Sequence, residues 1–317
     1  MTAGRILFGL SLTTANPLNA DPRRSLRDLV ERVEAAREAG FHSIWVGDHH
    51  VTAGVHYFQN IPTIARVAAH SGAMRVGMFC MPPLFPPVLL AEQIATLDVI
   101  AEGRFTLMAG VGGQREAHAA FGIPWKERAG RFEESLHIMR RLWNEDHVSY
   151  EGRYYRFSDV TINPKPVQRP LPVWIGGDTD GALRRAARLG APWIAAPWMP
   201  APVLEERAAF YRQALARCGT AEAVSEFPIR RDVYVAADPE TARRHAEAYV
   251  PSYRGFTAEA KTALLIGTPQ EMIDQVERYH RSAGCNHFLL RHIVGEQDRR
   301  LASIRLIGAQ VIPHFAR

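Results

Sequence analysis

The stretch Met74–Ala109, MRVGMFCMPPLFPPVLLAEQIATLDVIAEGRFTLMA, decides the fold. Its first part, Met74–Cys80, and its last part, Arg104–Ala109, are short apolar runs that predict buried strands. Between them, apolar residues from Leu90 to Ala101 recur at helical spacing, which predicts a helix with one buried face. A strand, a helix and a second strand in this order indicate a parallel βαβ unit.

The same alternation runs along the whole chain of 317 residues. Strand patterns occur at residues 5–11, 43–47, 74–80, 104–109, 173–176, 192–195, 229–236 and 287–290. Helical patterns separate them, so the sequence predicts an α/β protein whose strands close into a (β/α)8 TIM barrel. An open doubly wound sheet normally has fewer strands and an early glycine fingerprint, which this sequence lacks. We therefore expect residues 1–317 to form a single barrel domain.

Two segments interrupt the alternation, and both are expected to be insertions in the barrel. Val148–Phe157 follows the fourth helix and predicts a hairpin. The irregular stretch Pro251–Ile266 lies before the eighth strand. It is either a lid over the active site or a long loop.

Composition narrows the classes of function. The net charge is +5, but basic and acidic residues are interspersed, which is typical of a solvated surface rather than a nucleic-acid interface. Cys80, Cys218 and Cys285 are far apart and predict neither disulfides nor a zinc site. There is no apolar run long enough to span a membrane and no signal-peptide pattern. We expect a cytoplasmic protein that binds no membrane.

Residues after the strands matter most, because barrel enzymes build their active sites from these loops. Asp48-His49-His50 follows the second strand. Histidine titrates near neutral pH, and a neighbouring carboxylate can orient it, so the turn is interpreted as catalytic. Surface histidines and a metal site are the alternatives, although no further cluster of ligands completes a metal site.

Three other loops have features of a cofactor site. The third strand ends at Phe79-Cys80-Met81 and runs into prolines, a stiff apolar backbone suited to supporting a flat ring. The loop Gly110–Gly113 permits close approach of a ligand. The turn Gly176-Gly177-Asp178 opens directly into a helix, and backbone N–H groups at a helix N-terminus bind phosphate. For each loop the alternative is structural: a rigid turn, a lone glycine cluster, or a helix cap at Asp178 or Thr179.

Three further residues are candidates for binding the substrate. Tyr57 and Trp198 suggest an apolar pocket, although aromatic residues also serve as core. Arg291 follows the eighth strand as a cation that could bind a ligand or pair with a carboxylate. Cys80 is disfavoured as a nucleophile, since nothing nearby would lower its pKa.

The sequence resembles the bacterial-luciferase-like monooxygenase family across nearly its whole length. Segments that carry the resemblance, in chain order, include FHSIWVGDHH, VLLAEQIATLDVIAEGRF, GVGGQREAHAAFG, RFEESLHIMRRLW, LPVWIGGDTDGALRRAARLG and IGTPQEMIDQVERY. The resemblance implies a (β/α)8 barrel, often dimeric, that binds reduced FMN or a deazaflavin. One branch of the family reacts reduced FMN with oxygen, whereas the other transfers a hydride without oxygen.

The resemblance also implies roles for particular residues. His49 or His50 matches the family's acid/base histidine, beside Asp48. The residues that match cofactor-binding positions are Met78, Phe79, Cys80, Met81, Gly110, Gly112, Gly113, Gly176, Gly177 and Asp178. Luciferase has a phosphate-binding arginine in the loop after strand four, and Val111 takes that place here. Arg115 or backbone N–H groups would have to replace it.

Three functional hypotheses remain open. The first is a monooxygenase that takes reduced FMN from a separate flavin reductase, since the sequence shows no NAD(P)H fingerprint, and that oxidises a small, largely apolar substrate. The His49-His50 doublet favours it. The second is a deazaflavin-dependent oxidoreductase. The segment WVGD, directly before the histidine doublet, resembles deazaflavin-binding members of the family. The third is a non-catalytic flavin-binding barrel, against which the intact His/Asp turn argues. A homodimer is expected in each case.

Overall fold

The computed structural model describes residues 5–249 and 261–316. They form two compact units. The first unit contains the residues up to Thr13, Arg23–Trp45 and the described residues from Ile175 onward, and the second contains Thr14–Pro22 and Val46–Trp174.

The first unit is built on parallel strands. They are β1 (Leu7–Leu12), β3 (Ser43–Val46), β9 (Val173–Gly176), β10 (Trp193–Ile194), β11 (Pro228–Val235), β12 (Leu265–Gly267) and β13 (His287–His292). Five of them are adjacent in the order β3-β1-β13-β11-β12. Strand β10 pairs with β9 through Ile175 and Gly176, and Ala195, just after β10, bridges to Ile229 of β11. The carboxyl ends of parallel neighbours lie at one edge of a sheet, so the loops after β10, β11 and β13 lie at a common edge.

The helices of the first unit follow its strands along the chain. They are α1 (Pro22–Glu38), α6 (Asp180–Arg188), α7 (Ala201–Cys218), α8 (Pro239–Glu247), α9 (Pro269–Ala283) and α10 (Gln297–Gln310). Their ends follow sequence signals. Thr268 and Glu271 form a capping box at the start of α9, and Gly284 ends that helix with a φ of 74°.

The second unit contains β2 (Ala15–Pro17), β4 (Val55–Tyr57), β5 (Arg75–Cys80), β6 (Phe105–Ala109), β7 (Val148–Glu151) and β8 (Arg156–Val160). Strands β5 and β6 are parallel, whereas β2–β4 and β7–β8 are antiparallel pairs. Its helices are α2 (Asn60–Ala68), α3 (Pro87–Ile100), α4 (Arg115–Ala120) and α5 (Arg128–Asn144). Helices α3 and α5 are joined by a hydrogen bond of 3.0 Å from Trp143 Nε1–H to the Ala91 carbonyl oxygen.

Each strand predicted from the sequence is present within two residues of its expected bounds, which confirms an α/β protein with parallel strands. The hairpin expected at Val148–Phe157 is present as β7–β8. Closure into an eight-stranded barrel, a single domain and the placement of two insertions stay predictions.

Some local predictions were wrong. The stretch Pro251–Ile266 was expected to be irregular throughout. Its last two residues instead belong to β12, which pairs with Val233–Val235 of β11. Helix α5 begins at Arg128, directly after a 3₁₀ turn at Trp125–Glu127. Residues 251–260 of the predicted lid lie outside the described residues. No described helix has the length and apolarity that crossing a membrane requires.

Candidate active site

The turn after β3 separates the two histidines of the doublet. Asp48 and His50 are buried, whereas His49 is exposed. His50 Nε2 lies 3.1 Å from Asp48 Oδ1, and the Met81 N–H donates a hydrogen bond of 3.1 Å to Asp48 Oδ2. The carboxylate therefore ties the turn to the end of β5 and faces the buried imidazole.

Aromatic rings surround both histidines. The His50 ring meets Phe121 and Phe85 edge-on, with centroid distances of 5.2 and 5.9 Å. The His49 ring lies 5.0 Å from that of Tyr57, also edge-on. Because His49 is exposed, its imidazole can reach a ligand, whereas His50 is enclosed by its neighbours.

The end of β5 is buried and rigid. Met78, Cys80 and Met81 are buried, and the carbonyl oxygen of Phe79 accepts a hydrogen bond of 2.7 Å from the side chain of Asn60. Burial raises the pKa of the Cys80 thiol well above its usual value, and the charge of Asp48 raises it further. Cys80 therefore stays protonated near neutral pH, in agreement with its rejection as a nucleophile.

The glycine loop after β6 packs against β5. The Gly110 N–H donates to the Cys80 carbonyl oxygen at 3.0 Å. Gly112 has a φ of 79°, and a Cβ there would lie 2.8 Å from Met81 Sδ and 2.9 Å from His118 Cε1. A Cβ on Gly113 would meet nothing within 4 Å, so a ligand can approach this residue. Arg115 is exposed, with its guanidinium 4.8 Å from the centroid of the Trp125 ring.

Two polar residues near this loop were missed from the sequence. His118 is 1% exposed, and its Nδ1–H donates to the Gln114 carbonyl oxygen at 2.8 Å. This bond leaves Nε2 as the acceptor of a neutral imidazole. Neither His118 Nε2 nor Gln114 Oε1 has a hydrogen-bond partner among residues 5–249 and 261–316. The only signal in the sequence was that Gln114 and His118 are four residues apart, the spacing of neighbours on one face of a helix.

The turn after β9 lies at the N-terminus of α6. Gly177 has a φ of 141°, and its carbonyl oxygen accepts a hydrogen bond of 2.7 Å from Trp193 Nε1–H. Thr179, not Asp178, caps the helix by accepting from the Ala182 N–H at 3.3 Å. Burial raises the pKa of Asp178, an effect that the nearby Ala196 N–H partly offsets. A glycine turn at a helix N-terminus is consistent with phosphate binding.

Arg291 pairs with a carboxylate, one of the two alternatives left by the sequence. Its Nε–H and an Nη–H donate to the two carboxylate oxygens of Asp232, both at 2.7 Å. Asp232 and Arg291 face each other in the register of β11 and β13. Trp198 is exposed in the loop after β10, and Tyr57 ends β4.

The structure thus brings together two sets of the predicted residues, one in each unit. In the second unit, Asp48 contacts His50 and Met81, and Met81 lies beside Gly112. In the first unit, Gly177 is tied to Trp193 of β10, and Asp178 lies near Ala196, in the loop that carries Trp198. Among the described residues, no cluster of histidine, cysteine and carboxylate groups has the geometry of a metal site.

Comparison with known proteins identifies the family. The model of the luciferase-like monooxygenase family matches residues 6–285. This chain belongs to the luciferase-like monooxygenase family. Its members are oxidoreductases that use a flavin or a deazaflavin, which confirms the predicted resemblance and enzyme class.

Relatives within the luciferase-like family use different cofactors. An F420-dependent glucose-6-phosphate dehydrogenase of Amycolatopsis mediterranei (strain U-32) is 33% identical over 306 residues, covering 87% of this chain and 91% of that protein. An FMNH(2)-dependent dimethylsulfone monooxygenase of Pseudomonas putida is 31% identical, covering 58% of this chain and 52% of that protein. The monooxygenase RslO1 from Streptomyces bottropensis has the same fold, with a TM-score of 0.89, 24% identity and coverage of 98% of this chain and 100% of that chain.

Proposed function

We propose that this luciferase-like protein is a monooxygenase that takes reduced FMN from a separate flavin reductase and oxidises a small, largely apolar organic substrate with O2. The observation that carries the proposal is the Asp48–His50 turn, in which a buried carboxylate and imidazole hold an exposed histidine, His49. An exposed imidazole with a fixed backbone is suited to general acid–base catalysis.

The residues fit a reduced flavin in three respects. The buried end of β5, Met78–Met81, offers a rigid apolar surface for a ring. Gly110, Gly112, Gly113 and Arg115 line a loop in which Gly113 faces open space. Gly176, Gly177 and Asp178 form the turn at the N-terminus of α6, where backbone N–H groups and the helix dipole favour a phosphate. When bound, reduced FMN supplies the electrons with which O2 is activated.

The protein's own residues would perform four tasks. His49 exchanges a proton with the reacting groups through its imidazole. Asp48 and His50 hold the turn that presents His49, through the bond to the Met81 N–H. Trp198 contacts the apolar substrate. The apolar rings of Phe85 and Phe121 exclude water from the Asp48–His50 pair.

A charged sugar phosphate is a poorer match to Arg291. Its guanidinium donates two hydrogen bonds to Asp232, so the carboxylate already compensates its charge. Trp198 and Met199, in a neighbouring loop of the same unit, are apolar. We therefore propose an apolar substrate, in whose binding Arg291 takes part as one half of a neutral pair.

A deazaflavin-dependent oxidoreductase that transfers a hydride without O2 is the second candidate. The observation in its favour is the 33% identity to an F420-dependent dehydrogenase over most of both chains. The acid/base role of His49 would be the same in either case. The two candidates therefore differ in the cofactor and in the need for oxygen.

Binding of the two cofactors separates these candidates. Under anaerobic conditions, reduced FMN and reduced F420 are each titrated into the protein, and binding is followed by the quenching of tryptophan fluorescence. Oxygen consumption is then followed with FMN, NADH, a flavin reductase and a panel of apolar ketones, sulfones and aromatic compounds. Tight binding of FMN with substrate-dependent oxygen consumption is expected. Tight F420 binding without FMN affinity would overturn the monooxygenase proposal, and FMN binding without any turnover would support a non-catalytic flavin protein.

We also propose a homodimer. Helix α3 exposes three large apolar side chains, Leu89, Val99 and Ile100, at spacings that place them along one side of the helix. Covering such a stripe with a second copy removes apolar surface from water. Light scattering after gel filtration tests this: Ile100→Arg is expected to shift the dimer to a monomer, whereas a monomeric unaltered protein would contradict it.

A further inference from the structure

Arg231 of β11 is fully buried, and it binds the loop that follows β10. Its Nη1 lies 3.2 Å from the carbonyl oxygen of Ala196, 3.4 Å from that of Pro197 and 3.0 Å from that of Arg230. Its Nη2–H donates to the carbonyl oxygen of Met199 at 3.0 Å. One guanidinium therefore spans the whole turn from residue 196 to residue 199.

The other face of this guanidinium rests on an aromatic ring. Arg231 Cζ lies 4.5 Å from the centroid of the Tyr279 ring, on α9. Burial raises the pKa of the neighbouring Cys285 thiol to about 12, so this thiol is neutral and supplies no counter-charge. The buried cation is stabilised instead by carbonyl oxygens and a π face, an arrangement that needs the planar fork of arginine. A lysine ammonium is a point charge and cannot reach both ends of the turn.

The turn held in this way exposes one large side chain. Pro197 and Met199 are buried, whereas Trp198 between them is 52% exposed. Fixing the backbone on both sides of Trp198 restricts the positions that its indole ring can take.

We propose that Arg231 is a positioning residue that holds the Ala196–Met199 turn and thereby presents the indole face of Trp198 to the substrate. The proposal rests on the proposed function, in which Trp198 contacts the substrate, and extends it to the shape of that substrate. A fixed indole face binds a flat, apolar group best, because aromatic stacking and area burial act together. Arg231 itself does not touch the substrate.

The mobility and accessibility of Trp198 test this role without any turnover. Acrylamide quenching of tryptophan fluorescence is measured in the unaltered protein, in Arg231→Lys and in Arg231→Met, and the Trp198 contribution is obtained by subtracting Trp198→Phe counterparts. We expect the quenching constant of Trp198 to rise about twofold in both variants, because a released turn exposes more of the ring. Binding of the flat probe 2-naphthol is expected to weaken about tenfold, as in Trp198→Ala.

A combined variant and a second substitution provide two further tests of the proposal. In the Trp198→Ala background, Arg231→Lys should cause no further loss of 2-naphthol binding, since both changes remove the same contact. If the Arg231 variants do not fold, Tyr279→Leu removes the ring beneath the guanidinium and should raise Trp198 quenching in the same direction. Unchanged quenching in these folded variants would overturn the positioning role.

Failure of the proposed function gives a different result from failure of this role. Absence of 2-naphthol binding to the unaltered protein would contradict a flat, apolar substrate. Normal quenching in Arg231→Lys together with normal turnover would contradict only the positioning role. A rise in Trp198 quenching with F420-dependent turnover would retain the positioning role while overturning the FMN reaction.

Discussion

The loops of the two units differ in how their buried polar groups are satisfied. In the second unit, the loop after β6 carries two buried atoms without a hydrogen-bond partner among the described residues, Gln114 Oε1 and His118 Nε2. In the first unit, the loops after β9 and β10 are tied by Trp193 to Gly177 and by Arg231 to three carbonyl oxygens.

The difference indicates two kinds of site. An unsatisfied buried polar group costs about 1–3 kcal/mol, a cost that a bound ligand can relieve by supplying the missing partner. We therefore expect the loop after β6 to act on a ligand and the loops after β9 and β10 to form a fixed frame. Asp178 and Arg231 of the first unit each keep one buried atom, Oδ1 and Nε, without a partner in the described residues.

The largest effect is expected within the histidine doublet. His49→Gln removes the exposed acid/base group, and kcat/KM should fall about 10²–10⁴-fold. His50→Gln is the matched control, because its amide can still donate to Asp48, and a loss of about tenfold or less is expected. Steady-state oxygen consumption across pH 5–9 checks both variants. A larger loss in His50→Gln would reverse the two roles.

The ion pair Asp232–Arg291 joins strands β11 and β13 and should contribute strongly to the stability of the first unit. Asp232 is 1% exposed, so Arg291→Met leaves a buried carboxylate without its bidentate partner. The free energy of unfolding should fall by about 3–5 kcal/mol, which urea denaturation measures. The double variant Arg291→Met/Asp232→Leu should recover most of this loss. No recovery would mean that the two side chains stabilise the protein independently.

A buried histidine of the first unit, His292, should make the stability of the protein depend on pH. Burial, with nearby Arg300 and Arg32, lowers the pKa of His292 to about 3, whereas an unfolded histidine titrates near 6.5. Above pH 6.5 the residue is neutral in both states and does not affect stability. Below it, only the unfolded state takes up the proton, so stability falls by about 1.4 kcal/mol per pH unit down to pH 3.

Unfolding in urea at pH 7, 6 and 5 checks this dependence. His292→Asn should flatten the curve over this range, although it lowers stability at pH 7 by removing the bond to Ser303. His314→Gln, at an exposed histidine, is the matched control and should leave the slope unchanged. An equal slope in His292→Asn and in the unaltered protein would refute the assignment.

Most strands could be predicted from the sequence because they are short, largely apolar runs, although β11 also contains Arg230, Arg231 and Asp232. Strand β12 was missed because it has three residues and exists only through its pairing with Val233–Val235, a distant segment. Helix α4 was missed because glycines directly precede it. Such elements are stabilised by tertiary contacts rather than by local propensity.

In the candidate site, too, the sequence predicts some features, and others depend on tertiary contacts. The position of the Asp48-His49-His50 turn followed from its place after a strand. Which histidine is buried did not, because the burial of His50 depends on Phe85 and Phe121, far away in sequence. His118 was missed since a lone histidine in a short helix carries no motif. Its tautomer is set by a carbonyl group that no spacing rule predicts.

The smallest effect is expected from a pair of glycines, one in each unit. Gly177 has a φ of 141°, and a Cβ there would lie 2.8 Å from the Cβ of Ala182, so Gly177→Ala should cost about 1–3 kcal/mol and weaken FMN binding. Gly113→Ala is the matched control, because its Cβ would enter open space, and stability should change by less than about 0.5 kcal/mol. Urea unfolding and FMN titration measure both quantities.

A fixed frame in the first unit predicts that Gly177→Ala lowers both stability and binding, whereas Gly113→Ala in the ligand-facing loop lowers binding alone. If Gly177→Ala left stability unchanged, the turn after β9 would be adaptable, and the contrast between the two units would fail at its phosphate site.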